Sequence, residues 1–347
     1  MRAAVFRGPN DIRFERVPIP DIGPGEALVR IACCGVCGTD IKKIQHGLVA
    51  PPRIFGHEMA GTIVALGAGT RGWSIGDRVA VMHHVPCRSC FYCDAGDFAQ
   101  CPTYKRTGTT AGFEPAGGGF AEYVRVFDWV AAEGMVAVPE EVSFEEAAFL
   151  EPVNTCLKGL ERARVRPGEV VLVIGQGQIG LLFTMMLRWK QARVVASDPL
   201  PYRREKALEM GAEAALDPAE DDVPAMLRGL TEGRGADLAI VAVADSSVVN
   251  SAMRTVRPGG RVLLFAQTRL GDAATVDAGE VCMLEKTLLG SYSSDITLQQ
   301  AAADLVFSRT IDVRPLITHR FPLERTADAM CLASSPQDRS LKVMVQP

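Results

Sequence analysis

The sequence predicts an α/β protein in two parts: a mostly β region, then a doubly wound parallel sheet with helices on both faces. Three observations predict it. Short β-type runs broken by Gly and Pro fill residues 1–150, strands alternate with helices from Glu169 onward, and the tail ends in another strand. At 347 residues the chain is long enough for two domains, each with a sizeable core.

The opening, MRAAVFRGPNDIRFERV, reads as strand-like pieces. EALVRIACC, GTIVALG, DRVAVM and FAEYVRV follow as short strands set off by turn residues, a pattern that suits a compact β domain with irregular loops. The character changes at Ser143. SFEEAAFLEPVNTCLKGLERA reads as one helix, capped by Ser143 with Glu146 completing a capping box. VVLVI (170–174) precedes a helix from Ile179 to Trp189, and RVVASD (193–198) precedes RREKALEMG. ADLAIVAVA (236–244) precedes VVNSAMRTVRPGG, and RVLLFAQ (261–267) follows. These strands are apolar without alternation, as in a sheet covered on both faces. SSDITLQQAAADLVFS reads as a helix and SLKVMVQP as a last strand that returns to the first domain.

Composition narrows the function class. With 48% hydrophobic and 22% charged residues the chain is of the soluble globular type. A net charge of −4 with scattered Lys and Arg offers no footprint for nucleic acid or an anionic membrane. The first residues lack a sustained apolar run, and no apolar stretch is long enough to span a bilayer, so a cytoplasmic location is expected. Ten cysteines in such a chain, four of them tightly clustered, argue for metal ligation rather than disulfides.

The strand at 170–174 runs directly into Gly175-Gln-Gly177-Gln178-Ile179-Gly180. A glycine triplet alone is a weak signal; a buried strand before it, a helix after it and an acid at the end of the next strand make it a strong one. Gly175 permits the tight turn, Gly177 lets the backbone approach a pyrophosphate, and Gly180 lets the helix pack closely on the sheet. The helix N-terminus supplies free N–H donors and partial positive charge. Asp198 stands where a carboxylate accepts the ribose hydroxyls and repels a 2′-phosphate, favouring NAD over NADP. Arg203 and Arg204, just beyond, pull the other way.

Cys87, Cys90, Cys93 and Cys101 form C-x2-C-x2-C-x7-C, spacing that can wrap one ion tetrahedrally. Four sulfur ligands leave no open position, so the site is structural. An iron–sulfur cluster competes; the long final gap and the lack of a second cysteine set favour zinc. Separately, Cys37 lies in GVCGTD, His57 in FGHEMAG and Glu151 in LEPVNTC. Should these three converge, a thiolate, an imidazole and a carboxylate would leave one position for water or substrate, as a catalytic zinc requires.

In order along the chain, Cys37-Gly-Thr-Asp40, Gly56-His57-Glu58, the four-cysteine lobe, Glu151-Pro152 and the glycine triplet resemble the zinc-containing medium-chain dehydrogenases, closest to their sorbitol/sugar and threonine members. The resemblance runs from about Ala3 to Val345. It implies a GroES-like catalytic domain over 1–150 and 293–347, with the zinc lobe at 84–104, and a Rossmann domain over 151–292. It also implies two zinc ions per chain, NAD as cofactor, and a homodimer or homotetramer, with edge-strand pairing carried by 262–265 and 284–291. By the same similarity Cys37 and His57 bind the catalytic zinc, with Glu58 as ligand or close alternate. Glu151 replaces the second cysteine of alcohol dehydrogenases and binds directly or through water. Asp40 orients His57, Thr39 passes a proton outward, and Thr155 and Ile179 pack behind the nicotinamide. One departure stands out: relatives end the proton relay on a histidine where this chain has Lys42, with His46 beyond.

The expected substrate is a secondary alcohol of the polyol, sugar or cyclitol type, because a glutamate makes the pocket more polar than a thiolate. A threonine-like 2-amino-3-hydroxy acid, suggested by GVCGTD and His84, and a simple alcohol are the alternatives. Outside the class stand a non-catalytic NAD sensor and a zinc-ribbon binding module. The acidic Asp94 and Asp97 beside Arg88 count against the latter. His83 and His84 are either pocket residues or loop residues, and His319 reads as a strand histidine. Cys33, Cys34, Cys156, Cys282 and Cys331 read as buried fillers, and AGGGFAEY (116–123) as a turn into a strand.

Overall fold

In the computed structural model, residues 1–82, 84–106, 117–266, 270–335 and 339–347 are described. His83, Ala116 and Gln267 lie outside them. The chain divides into two units, Met1–Asn154 with Ser294–Pro347, and Thr155–Ser293.

The first unit opens with β1 (Arg2–Gly8), β2 (Asp11–Arg16), β3 (Ala27–Gly35), α1 (Gly38–His46), β4 (Arg53–Ile54), β5 (Glu58–Leu66) and β6 (Arg78–Val81). The cysteine lobe follows, with α2 (Phe91–Asp94) and α3 (Pro102–Arg106), then β7 (Tyr123–Val126), α4 (Asp128–Glu133), β8 (Met135–Ala137), α5 (Phe144–Ala147) and α6 (Leu150–Ala163). The second unit holds β9 (Val170–Ile174), α7 (Gln178–Trp189), β10 (Arg193–Ser197), α8 (Pro201–Glu209), β11 (Ala214–Leu216) and α9 (Val223–Leu230). It continues through β12 (Ala236–Val241), α10 (Val248–Thr255), β13 (Val256–Leu264), α11 (Ala278–Met283) and β14 (Thr287–Gly290). The tail adds α12 (Gln299–Phe307), β15 (Ile317–Pro322), α13 (Thr326–Ser334) and β16 (Lys342–Gln346) to the first unit.

In the first unit β2-β1-β4 form a small sheet, and a larger one runs β15-β16-β3-β5-β6-β8 with β7 also on β3. The last strand thus returns to the first domain: β16 pairs antiparallel with β3, Met344 opposite Gly35. Phe6, Ile54, Met59, Ile63, Phe120 and Val345 belong to its buried core. Asn154 and Asp295 exchange two hydrogen bonds, Nδ2 to Asp295 O at 2.9 Å and Asp295 N to Oδ1 at 2.7 Å, tying the returning tail to α6.

The predicted long helix from Ser143 is two. Ser143 and Glu146 do form the capping box, but α5 ends at Ala147 and α6 starts at Leu150. Pro152 supplies the reason: it lacks the N–H that would bond to the Ala148 carbonyl and its ring crowds that carbonyl. VRPGG also departs from expectation, because Val256 already begins β13.

In the second unit a parallel sheet runs β11-β10-β9-β12-β13-β14. β9 lies inside the sheet and four of its five residues are buried, as an apolar strand without alternation requires. At its end Gly175 takes φ +91°, a left-handed turn that a side chain would resist. A Cβ on Gly180 would overlap the Gly175 carbonyl oxygen, so only glycine lets α7 start this close to the turn. Gly180→Ala is therefore expected to cost about 1–3 kcal/mol through overpacking. Gly290→Ala, where a Cβ meets nothing within 4 Å, should stay within about 0.5 kcal/mol of the parent. Urea midpoints of the two variants check this, and equal midpoints would contradict it.

Candidate active site

The start of α1 and the start of β5 converge on one largely buried cluster. Cys37 precedes α1, His57 and Glu58 open β5, and their ligand atoms all lie within 4.8 Å of one another. Cys37 is the N-cap of α1, its sulfur accepting the Thr39 N–H at 3.4 Å, which fixes the sulfur at a helix N-terminus where negative charge is favoured. His57 Nδ1 lies 3.2 Å from Asp40 Oδ1, and Asp40 is fully buried. With that carboxylate holding the proton on Nδ1, Nε2 is the nitrogen left for a metal. Asp40 Oδ2 is buried without a hydrogen-bond partner among the described residues, an orphaned anionic atom in the same pocket.

The electrostatics fit a cation. Burial opposes a charge on His57, yet Asp40 and Cys37 hold its pKa well above the ordinary histidine value. Glu151, on the first turn of α6, is 7% exposed. Burial pushes its carboxyl up to about 7, with Glu58 and Asp40 adding and His57 and Lys342 opposing. Glu151 is not within the 4.8 Å group; the third-ligand position expected of it is instead held, by distance alone, by Glu58. Glu58 in turn is paired with Lys342, a fully buried lysine on β16. Lys342 escaped the sequence reading. Its signal was a lone charge inside the apolar strand SLKVMVQP.

Of the expected relay, Thr39 is half-buried, and Lys42 is half-buried with its pKa lowered by burial while Cys37 opposes. His46 is exposed in the last turn of α1. His84 stacks on Tyr104, ring centroids 4.3 Å apart and 13° from parallel. His319 sits on β15 with Nδ1 3.0 Å from Thr318 Oγ1.

The second cluster is the lobe. Cys87, Cys90, Cys93 and Cys101 bring four sulfurs within 4.8 Å of one another. Sγ–Sγ distances of 3.5 Å (Cys90–Cys93) and 3.9 Å (Cys87–Cys93) bracket the ~3.8 Å edge of a tetrahedron with Zn–S bonds of ~2.3 Å. Hydrogen bonds from Ser89 pull the Cys87 thiol down to about 6, so it is a thiolate at neutral pH. Two fillers are misjudged by the sequence: Cys282 and Cys331 are exposed. α11 buries no residue, and α13 turns Thr326, Ala329 and Met330 inward, leaving Cys331 on its outer side.

In the second unit Gly177 caps α7. A Cβ there would meet only Arg203, at 3.8 Å, so the space before the helix N-terminus is open. Asp198 is 2% exposed; Oδ2 accepts the Gln176 N–H at 2.7 Å and Oδ1 the Leu200 N–H at 2.9 Å. Arg203 reaches to 3.6 Å from Asp198 Oδ2, while Arg204 is committed to the Asp198 and Pro199 carbonyls and to Asp217. Gln178 and Ile179 form the first turn of α7, and Thr155 is buried on α6. A cavity of about 540 Å³ opens beside the turn, lined by Gly175, Pro199, Val243, Asp221, Asp222 and Asp245 among others.

A nucleotide-cradling parallel sheet joined in one chain to a β domain with a mixed thiol–imidazole–carboxylate cluster defines a metal-dependent, nucleotide-linked oxidoreductase. Comparison with known proteins is specific. Residues 23–140 match the alcohol dehydrogenase GroES-like domain and residues 179–308 the zinc-binding dehydrogenase domain. Sorbitol dehydrogenase of Bacillus subtilis is 29% identical over 100% of this chain and 97% of its own. That of Bombyx mori is 30% identical over 99% and 98%. A solved structure described as a zinc-binding dehydrogenase from Sinorhizobium meliloti, bound to NADP, superposes with TM-score 0.91 at 29% identity, covering 100% of this chain and 99% of that one. The chain belongs to the zinc-containing medium-chain dehydrogenases, of the polyol type. Its reaction is the zinc-dependent oxidation of a secondary alcohol to a ketone with a nicotinamide cofactor.

A metal bound at the buried cluster would compete there with protons. A Glu151 carboxyl with a pKa near 7 in the fold, against about 4.3 unfolded, stabilises the metal-free protein at low pH. That contribution is lost as pH rises through the folded value. A bound cation favours the ionised form, so the gain in Tm on adding zinc should grow from about pH 6 to about pH 8. Calorimetry at fixed free zinc measures it; a gain that shrinks with pH contradicts the site's electrostatics.

Proposed function

We propose that this chain oxidises a polyol, sugar or cyclitol with NAD, holding one catalytic zinc at Cys37 and His57 and one structural zinc in the four-cysteine lobe. The convergence of Cys37, His57 and Glu58 in one buried cluster beside Glu151 carries the reading. The donor chemistry fits zinc in both places: mixed S/N/O with room for a further ligand in one, four sulfurs in the other. When bound, zinc supplies the Lewis acidity that eases loss of the hydroxyl proton, and NAD accepts the hydride. The chain's own work is then positioning. Asp40 sets the His57 tautomer, Thr39 receives the hydroxyl proton, and Lys42 or exposed His46 passes it to water. Glu151, a carboxylate beside the ligands, suits a substrate carrying vicinal hydroxyls, as the relatives' names also suggest.

NAD is favoured over NADP. Asp198 opposes a 2′-phosphate, and Asp221, Asp222 and Asp245 make the neighbouring cavity acidic. Arg203, whose charge Asp198 offsets, leaves some tolerance for NADP. Thr155 and Ile179 are assigned to the nicotinamide side, and Gly175, Gly177, Gln178 and Gly180 to the pyrophosphate. Free thiols in two clusters suit a cytoplasmic protein. A homodimer or homotetramer is supported by β14, a sheet edge on which Leu288 stays 40% exposed; sedimentation as a monomer at micromolar concentration excludes it.

Two experiments test the reading. Cys37→Ser should lower zinc content from two to one per chain and kcat/KM by at least about a hundredfold, and full turnover without the second zinc ends the proposal. A panel of polyols, L-threonine and short alcohols, followed by NADH absorbance, should give its highest kcat/KM on a polyol, with Asp198→Ala shifting preference toward NADP.

A further inference from the structure

We propose that Arg204 is a positioning residue for the adenosine half of the cofactor: it pins the acidic turn after β11 to the end of β10 and so fixes one wall of the cavity that receives the base. The proposal rests on the functional reading above and goes beyond it.

In an open parallel sheet a dinucleotide lies across the carboxyl ends of the strands. With the pyrophosphate at the glycine turn after β9 and a ribose at Asp198 after β10, the base falls beside the loops that follow β10 and β11. The cavity of about 540 Å³ opens there, walled by Pro199 after β10, by Pro218, Val223 and Pro224 after β11, and by Val243 and Asp245 after β12. Prolines and valines present flat apolar faces that suit an aromatic base. β11 is a three-residue edge strand, paired with β10 through Ala214–Leu216, so the ladder ends before the turn that forms the wall.

Arg204 holds that turn. Its Nη1 donates to the Asp198 carbonyl at 2.8 Å, the Pro199 carbonyl at 2.9 Å and Asp217 Oδ2 at 2.8 Å. Asp217 is closed onto its own turn: its N–H donates to Asp221 Oδ2 at 2.8 Å, its Oδ1 accepts the Ala219 N–H at 2.9 Å and its carbonyl accepts the Asp221 N–H at 2.8 Å. The turn therefore moves as one piece, and Asp222 continues it into α9 by accepting the Ala225 N–H at 2.9 Å. Both side chains of the ion pair are largely buried, at 20% and 16% exposure, so this charge-assisted bond is little screened. Without the guanidinium, two carbonyls and a carboxylate would face one another with no donor between them. The turn, which carries Asp217, Glu220, Asp221 and Asp222, would also lose a cation that offsets its charge, and the wall would swing away from β10. The tandem arginines thus divide the work. Arg203 stands at the glycine turn, 3.8 Å from where a Gly177 Cβ would be, and Arg204 acts through the wall.

The test uses the full-length, zinc-loaded protein. Arg204→Met keeps the stem and removes the donors. It should raise the calorimetric Kd of ADP-ribose and the KM of NAD about tenfold each, with kcat at saturating NAD within about twofold of the parent. Asp217→Ala frees the turn but leaves Arg204 on its two carbonyls. It should raise both constants at least about threefold, and Arg204→Met/Asp217→Ala should be no worse than Arg204→Met alone. Arg193→Met breaks the Arg193–Glu213 pair at the other end of β10. It should leave Kd and KM at parental values, which separates loss of the brace from general weakening of this sheet edge. If Arg204→Met does not fold, Asp217→Ala carries the test. An unchanged ADP-ribose Kd in either folded variant, an equal rise in Arg193→Met, or a fall in kcat as large as the rise in Kd overturns the proposal while the functional reading stands. A parent that binds neither ADP-ribose nor NAD overturns both.

Discussion

Buried negative charge is the constraint around which the first unit is arranged. Asp40, Glu58 and Glu151 are carboxylates with 0–7% exposure, grouped with a cysteine at a helix N-terminus. Without compensation such a set would protonate or unfold the site, since isolated buried ions cost far more than a domain's net stability. The protein supplies some positive charge of its own through Lys342 and the raised pKa of His57. The rest has to come from outside. A pocket that lifts a histidine's pKa and a glutamate's at once favours their protonated forms, and a divalent cation bound there would displace those protons.

The nucleotide site solves a different problem. At the glycine turn the helix N-terminus and the backbone N–H groups supply the field, beside the Arg203 guanidinium, 3.8 Å from where a Gly177 Cβ would stand and 3.6 Å from Asp198. Asp198 then does double duty. By accepting the Gln176 N–H it ties the glycine turn to the end of β10, so the residue proposed to select the ribose also shapes the loop that approaches the pyrophosphate. Each oxygen of Asp198 accepts one backbone N–H and keeps a lone pair, which is why both roles are compatible.

Much of this was legible in the sequence because the signals are local. The GxGxxG turn lies between its own strand and helix, and four cysteines within C-x2-C-x2-C-x7-C close on themselves. The capping box of Ser143 and Glu146 also formed as read, though Pro152 cut the helix after it. What escaped is long-range or depends on facing. Lys342 reaches Glu58 only because β16 lies beside β3 and β3 beside β5. The family pattern points to Glu151 as a ligand and to Glu58 as a ligand or close alternate; the structure brings Glu58 into the inner group and pairs it with a lysine that no spacing rule points to. Cys282 and Cys331 looked apolar in context, but the helix face decides exposure, and a periodicity of short helices leaves that face ambiguous.

Locality also separates the two candidate metal clusters in stability. The lobe draws its sulfurs from one short stretch, with Tyr104, Ala99 and Phe98 packed around them, so an ion bound there would organise a segment that has little other core. The catalytic cluster draws on α1, β5, α6 and β16, elements from both ends of the chain. Its geometry therefore exists only when the large sheet is complete and the tail has returned. Metal affinity at that cluster is in consequence a readout of the whole first unit's folding. A substitution at Gly35, two residues from Cys37 and directly against Glu58, acts on it through the strand spacing it disturbs.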